Sequence, residues 1–108
     1  MQILVQVLTS SNSSLRDKIA HDPKLKESDL KVSESKRIGR QQGWTKLHST
    51  LPGRHGAINV QWVGSSRMLL CRVITKEGGQ PSLIIGDFID YLLDRFQKKI
   101  EAINIIPR

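Results

Sequence analysis

The sequence predicts one α+β domain over residues 1–108, with a mostly antiparallel sheet of about five strands. Short runs rich in β-branched residues alternate with turns that contain glycine or proline, the pattern of consecutive antiparallel strands. One long apolar stripe with helical spacing lies near the C-terminus and predicts an amphipathic helix packed on the sheet. A short N-terminal helix is also expected.

The first elements are a strand and a short helix. Residues 3–8 form a β-branched apolar run that ends at a cluster of Thr, Ser and Asn, which predicts a buried strand. Either Ser13 or Ser14 can cap a helix that continues to about His21. Pro23 ends this helix because proline cannot donate a backbone hydrogen bond.

The next segment predicts a loop followed by two strands. Residues 24–29 are charged and indicate a loop, and residues 30–38 predict a strand that becomes exposed along its length. Glycines at both ends of residues 39–43 indicate a turn. Residues 44–51 predict the second strand of the pair, and the Pro-Gly pair at 52–53 predicts a tight turn after it.

The clearest hairpin follows this turn. Ile58, Val60 and Trp62 alternate with polar residues, as in a strand with one buried face. Residues 64–66 are a Gly-Ser-Ser turn, and residues 68–75 form the returning strand.

The C-terminal region predicts a helix and a last strand. Residues 83–85 fit either a short strand or the entry to a helix, and from Asp87 the helical pattern is firm. Residues 102–106 predict a final strand, which Pro107 ends. The apolar stripe of the helix consists of Phe88, Ile89, Leu92, Leu93, Phe96 and Ile100.

The positive charge lies in the middle of the chain. The net charge is +7, from 17 Lys and Arg against 10 Asp and Glu. Residues 35–76 hold eight basic and no acidic residues and carry +8, whereas the rest holds nine basic and ten acidic residues and carries −1. Because ordinary surfaces mix both signs, this segment is typical of a surface that meets phosphates. The alternative is that strand alternation scatters these groups over both faces.

Two features of this segment are candidates for a binding site. In a strand, Trp44, Lys46 and His48 point to the same side, where the ring can stack on a base and the cation can meet a phosphate. The alternative is that Trp44 belongs to the core. The turn at 52–56 adds Arg and His on flexible backbone that can approach an anion. The predicted nucleic-acid contacts are Arg37, Arg40, Trp44, Lys46, His48, Arg54 and His55.

The leading hypothesis is therefore a module that binds a polyanion, with RNA or single-stranded DNA favoured over duplex. A protein-interaction domain or homodimer is the first alternative, because the apolar stripe and tail exceed what so small a domain needs to bury. Its surface would come from Phe88, Leu92, Phe96 or Ile103–Ile106. A metal-independent ribonuclease that uses His48 and His55 is the second alternative.

The remaining features set limits on the function. We expect no cofactor and no metal, because the three histidines lack helical ligand spacing and cysteine help. The single cysteine, Cys71, lies in an apolar run and is expected to be a buried thiol. We expect no membrane span and a cytoplasmic location, since the first apolar run is too short for a secretory signal.

Overall fold

A computed structural model describes residues 2–36, 44–76 and 79–107, with only the backbone described for 34–36. All its strands belong to one antiparallel sheet with two helices on one side, which confirms the predicted α+β fold. The predicted turn at 39–43 and the candidates Arg37 and Arg40 lie outside the described residues. The six strands are β1 (Gln2–Thr9), β2 (Leu30–Lys36), β3 (Trp44–Ser49), β4 (Gly56–Val63), β5 (Met68–Thr75) and β6 (Ile100–Pro107).

The strand order places the two chain ends side by side. The order is β2-β3-β4-β5-β1-β6, so β2 through β5 form consecutive neighbours and β1 inserts between β5 and β6. Val5 of β1 lies opposite both Cys71 of β5 and Ile105 of β6. Because directly opposed residues point to the same side of an antiparallel pair, these registers fix which side chains share a face.

The N-terminal helix, α1 (Leu15–Ala20), forms as predicted, and the serine that caps it is Ser14. Its hydroxyl oxygen accepts a hydrogen bond from the backbone N–H of Asp17 at 3.2 Å. This contact satisfies one of the unpaired donors at a helix start. Leu15 and Ile19 are buried against the sheet.

The charged segment after α1 differs from the predicted loop. Leu25–Ser28 form a short 3-10 helix, which Asp29 closes in the left-handed conformation at φ 60°. Leu25 is 4% exposed, so this turn contributes to the core rather than lying wholly on the surface. In β2, Leu30 is buried and Val32 is 36% exposed, and the strand becomes exposed as predicted.

The long helix, α2 (Pro81–Phe96), begins six residues before Asp87, from which the helical pattern was firm. Proline is favoured at the first helical position, where its missing N–H has no partner to lose. Residues 83–85 are therefore helical. Two members of the predicted stripe differ: Leu93 is 42% exposed, and Ile100 belongs to β6. Tyr91 is fully buried in their place.

A carboxylate between α1 and the 3-10 helix anchors α2. The hydroxyl of Tyr91 donates to Asp22 Oδ2 at 2.7 Å, and Arg95 donates to both carboxylate oxygens at 3.0 and 3.2 Å. Burial alone would raise the pKa of Asp22, but the hydrogen bonds from Arg95 and Tyr91 outweigh it and lower the pKa. The carboxylate therefore stays ionised and holds the helix in place.

The helices leave one face of the sheet uncovered. The core lies on the other face, where α1 packs on β3 and β4 and α2 packs on β4 and β5. Side chains there alternate with partly or fully exposed ones along each strand. We call the uncovered side the open face. By register it carries Lys31, Glu34, Lys36, Trp44, Lys46, His48, Ala57, Asn59, Gln61, Val63, Met68, Leu70, Arg72, Ile74, Gln2, Leu4, Gln6, Leu8, Ala102, Asn104 and Ile106.

Candidate functional site

The candidate residues of β3 lie on the open face. Thr45 and Leu47 are fully buried on the helix side, so Trp44, Lys46 and His48 project to the opposite side, as strand alternation predicts. Trp44 is half-buried rather than sealed in the core. The alternative interpretation of Trp44 as a core residue is therefore wrong.

A pocket at one end of the open face brings four of the predicted residues together. It has a volume of about 350 Å³ and lies where β3 ends, β4 begins and β5 ends. We call it the cationic pocket, because lysine, arginine and histidine line it and no acidic side chain is among its described lining residues. Its lining consists of Lys46, His48, Arg54, His55, Gly56, Ala57, Asn59, Ile74 and Lys76.

Close packing of β4 on β5 shapes this pocket. The backbone N–H of Lys76 donates to the carbonyl of His55 at 3.0 Å, which extends the strand pairing by one step and brings both residues to the pocket. Gly56 follows immediately, and a Cβ atom there would lie 2.5 Å from the carbonyl oxygen of Ile74. Only glycine therefore allows the two strands to approach this closely without a shift.

Arg54 has a structural partner that the sequence did not reveal. Its Nε donates to Asp87 Oδ2 of α2 at 3.3 Å, and both side chains are about one-quarter exposed. This pair ties the turn before β4 to the helix layer. The charge of Arg54 is partly offset, so it contributes less to an anion site than Lys46 or Lys76.

The surroundings of His48 favour its neutral form. Its burial lowers the pKa of the imidazole, and the nearby ammonium groups of Lys46, Lys31 and Lys76 lower it further. At neutral pH, the lysines rather than this histidine therefore carry the positive charge of the cationic pocket. The ring instead offers one donor and one acceptor nitrogen.

Two buried polar atoms beside the pocket have no hydrogen-bond partner among the described residues. They are Nδ1 of His48 and Oδ1 of Asn59. Buried polar atoms in native proteins are nearly always paired. The fold thus leaves unsatisfied hydrogen-bonding capacity next to the lysines.

A second, smaller depression borders the cationic pocket. Its volume is about 170 Å³, and it shares Asn59 with the pocket. We call it the Trp44 slot, and its lining consists of Trp44, Asn59, Gln61, Leu70 and Arg72. Pocket and slot are therefore neighbouring depressions on the open face.

No protein-family profile, curated protein or solved structure matches this chain. The assignment of a ligand therefore depends on the chemistry of the open face itself.

Sequence reasoning missed several residues of these depressions. Arg72 and Lys76 counted only as part of the basic segment, and Asn59 and Gln61 only as polar residues of a predicted strand. Lys31 lies outside the depressions, and its proximity to His48 was not predicted. Register counting outward from the Gly-Ser-Ser turn could have placed Asn59 opposite Arg72, since Val63 pairs with Met68. Nothing in the sequence pairs Lys31 with His48, because that contact joins β2 and β3, whose register no local pattern fixes.

Acidic residues avoid the centre of the sheet. The sequences of β1, β3, β4 and β5 contain no Asp or Glu. Acids occur only in the edge strands, at Glu34, which lies opposite Lys46 in the register, and at Glu101. On the helix side, a depression of about 380 Å³ is lined by Ser28, Asp29, Asp87, Asp90 and Asp94. The acid-free strands are thus those at the centre of the sheet, while Glu34 shares the face of Lys46 at its edge.

Part of the predicted dimer surface is buried in the core, and part is exposed. Phe88 and Leu92 are fully buried and cannot meet a partner, and Phe96 is partly buried against the core. That portion of the prediction is wrong because α2 turns its stripe toward the sheet. Ile105 and Ile106 on the edge strand β6 are 47% and 38% exposed, so an interface there stays a prediction.

The described residues do not favour metal ligation or thiol chemistry. Within the ranges 2–36, 44–76 and 79–107, no three His, Cys, Asp or Glu side chains are grouped so that they could hold a metal ion. Cys71 is fully buried, and burial raises the pKa of its thiol far above the usual range. No helix in these ranges has the length and apolar character needed to cross a membrane.

Proposed function

We propose that the protein binds single-stranded nucleic acid on its open face. The observation that carries the proposal is the cationic pocket and the Trp44 slot lying side by side on a part of the sheet whose central strands contain no acid. In this arrangement the pocket receives backbone phosphate and the slot receives a base. Aromatic platforms beside cationic grooves bind single strands in this way.

The lysines and Arg72 supply the electrostatic part of this binding. No carboxylate of the described residues lies within ion-pair distance of Lys46, Lys76 or Arg72. In this proposal their charge neutralises phosphate and releases counterions from the strand. Most of the affinity is expected to come from this term, so it falls steeply with salt.

The shape of the surface favours a single strand over duplex. The major groove of DNA admits a helix or a two-stranded ribbon, whereas this surface is the broad face of a six-stranded sheet. The slot beside Trp44 is lined by side chains that contact a base only when it is unpaired. A single strand lies across such a face with its bases against the sheet.

The proposal is tested by reversing charge in the pocket. The double variant Lys46→Glu, Lys76→Glu is expected to weaken binding of a fluorescent oligonucleotide by about tenfold or more at low salt. The slope of log affinity against log salt becomes less negative by about 1.4, at about 0.7 for each phosphate contact on a single strand. Arg54 is left unchanged because its loss would break the pair with Asp87.

A matched control makes the same change in charge elsewhere. Lys26 and Lys98 are exposed and lie in 3-10 turns outside the sheet. The variant Lys26→Glu, Lys98→Glu should keep most of the parent's affinity. If the two double variants lose affinity equally, binding reflects net charge alone and the assignment of the open face is wrong.

One observation favours a second candidate, a metal-independent ribonuclease. His48 and His55 both line the cationic pocket, and a neutral His48 can accept a proton. We rank this function lower because Nδ1 of His48 has no partner among the described residues to orient the ring. Cleavage of RNA that is lost in both His48→Ala and His55→Ala would establish it, and intact RNA after prolonged incubation would rule against it.

A further inference from the structure

We infer that two copies of the protein pair through the outer edge of β6 and so join their sheets into one. β6 is the last strand in the order, so β1 pairs with one of its edges and no described strand pairs with the other. It is eight residues long, and Ile105 and Ile106 are 47% and 38% exposed. A long apolar edge strand with unpaired backbone groups is a template for a further strand.

The backbone groups of Ile103 and Ile105 point away from β1. The N–H of Thr9 donates to the carbonyl of Arg67 at 2.9 Å, so Thr9 bonds toward β5. Because residues along an antiparallel strand alternate in bonding direction, the other odd-numbered residues of β1 also bond toward β5. Ile103 and Ile105 lie opposite such odd-numbered residues. Their N–H and C=O groups therefore face the outer edge.

The two edges of the sheet differ in charge. The sequence of β2 includes Lys31, Glu34 and Lys36, and charged residues on an edge strand oppose the addition of another strand. β6 contains one charged residue, Glu101, near its start. Two copies that each carry +7 repel least where this charge is distant. β5, the nearest strand of the basic segment, lies two strand spacings from β6, about 9.5 Å, against a screening length of about 8 Å at physiological salt.

The sequence of β6 fits antiparallel pairing with its own copy, centred on Asn104. This register places Ile105 opposite Ile103 of the second copy, so that their outward backbone groups bond each other and their apolar side chains meet. A register centred on Ile103 would instead place Ile105 opposite Glu101. At the centre, Asn104 lies opposite itself, and an amide can pair with its own kind because it carries both a donor and an acceptor. Lys99 then lies beyond the end of the other copy's strand.

The dimer joins two open faces into one surface. Directly opposed residues of an antiparallel pair point to the same side of the sheet. The open faces of both copies, and with them both cationic pockets, therefore lie on one side of the dimer. The pairing itself does not depend on nucleic-acid binding.

Sedimentation velocity over a range of protein concentrations tests the pairing. The mass should rise from that of one chain, 12.2 kDa, toward twice that value as the concentration increases. Asn104→Lys places two ammonium groups opposite each other and should weaken dimerisation about fivefold or more. The matched control is Gln6→Lys, the same change on the same face of β1, directly opposite Asn104 and away from the outer edge. This control should dimerise as the parent does.

Hydrogen exchange locates the interface without a variant. The amides of Ile103 and Ile105 face the outer edge in a single copy, so their exchange should become slower as the dimer forms. The amide of Asn104 bonds toward β1 in both states by the same alternation. Its exchange should therefore be slow throughout and serves as an internal control.

The outcomes separate this inference from the proposed function. The mass of one chain at every concentration would overturn the inference, whether the edge receives a strand of a different protein or none. A dimer that tolerates Asn104→Lys and leaves the amides of Ile103 and Ile105 in rapid exchange would also overturn it, because its interface would lie elsewhere. Neither result changes the expected binding of an oligonucleotide to the open face of one copy.

Discussion

At the scale of single residues, lysines supply positive charge on the open face, while the surroundings of His48 favour its neutral imidazole. The ammonium groups of Lys31, Lys46 and Lys76 and the burial of the ring act together to lower the pKa of His48. A bound phosphate would offset the lysines, so it would favour the protonated ring. Binding should therefore be accompanied by proton uptake at His48.

The titration of His48 gives a direct test of this electrostatic environment. The midpoint, followed by NMR of the ring proton, should lie below about 6.5, the ordinary value for histidine. Lys46→Gln should raise the midpoint because it removes one repelling charge. The control Lys26→Gln, at an exposed lysine in the 3-10 helix, should leave it unchanged. A midpoint at or above 6.5 in the parent would contradict the account.

The lowered pKa of His48 also makes the stability of the fold depend on pH. Below about pH 6.5, the unfolded chain binds a proton at this position more readily than the folded chain. The contribution of neutral His48 to stability is thus fully present above that pH and is lost as pH falls through the lowered folded pKa.

Sequence reasoning succeeded at residues whose position depends only on strand alternation. The outward direction of Trp44 and Lys46 follows from the alternation with buried Thr45 and Leu47. Prediction from the sequence failed where a contact joins distant parts of the chain. The pairing of Arg54 with Asp87 spans 33 residues, and no local pattern indicates it.

At the scale of secondary-structure elements, the hairpin of β4 and β5 forms one wall of the site and α2 supports it from behind. Elements with a clear period, such as β4, β5 and most of α2, could be predicted. The first turns of α2 could not be predicted, because an apolar run such as residues 83–85 fits a buried strand and a buried helix equally well. Packing of Ile84 and Ile85 into the core resolves that ambiguity.

Two glycines in these elements should respond oppositely to alanine. Gly56→Ala places a methyl group against the carbonyl of Ile74 and should lower the free energy of unfolding by about 1–3 kcal/mol. Gly86→Ala lies on α2, where no atom lies within 4 Å of the new Cβ, and should raise it by about 0.5–1 kcal/mol. Urea denaturation of both variants measures the difference. Destabilisation by Gly86→Ala, or none by Gly56→Ala, would contradict the described packing.

At the scale of the whole molecule, basic residues of the middle segment form a patch on the open face. Lys46, His48 and Lys76 line the cationic pocket, whereas the helix side carries both signs, with Asp90 and Asp94 near Arg95. Such a patch orients an approaching polyanion toward the sheet. The net charge of +7 alone could not reveal this, since the same residues could have been scattered over both faces.

The two tryptophans of the chain report on the two faces independently. Trp44 lines the slot on the open face, whereas Trp62 is 5% exposed in the core on the helix side. The most direct test is a titration of the ¹⁵N-labelled protein with a single-stranded oligonucleotide, in which both indole N–H signals are followed. The signal of Trp44 should shift while that of Trp62 stays in place. An oligonucleotide that binds and leaves Trp44 unchanged would show that the ligand lies elsewhere.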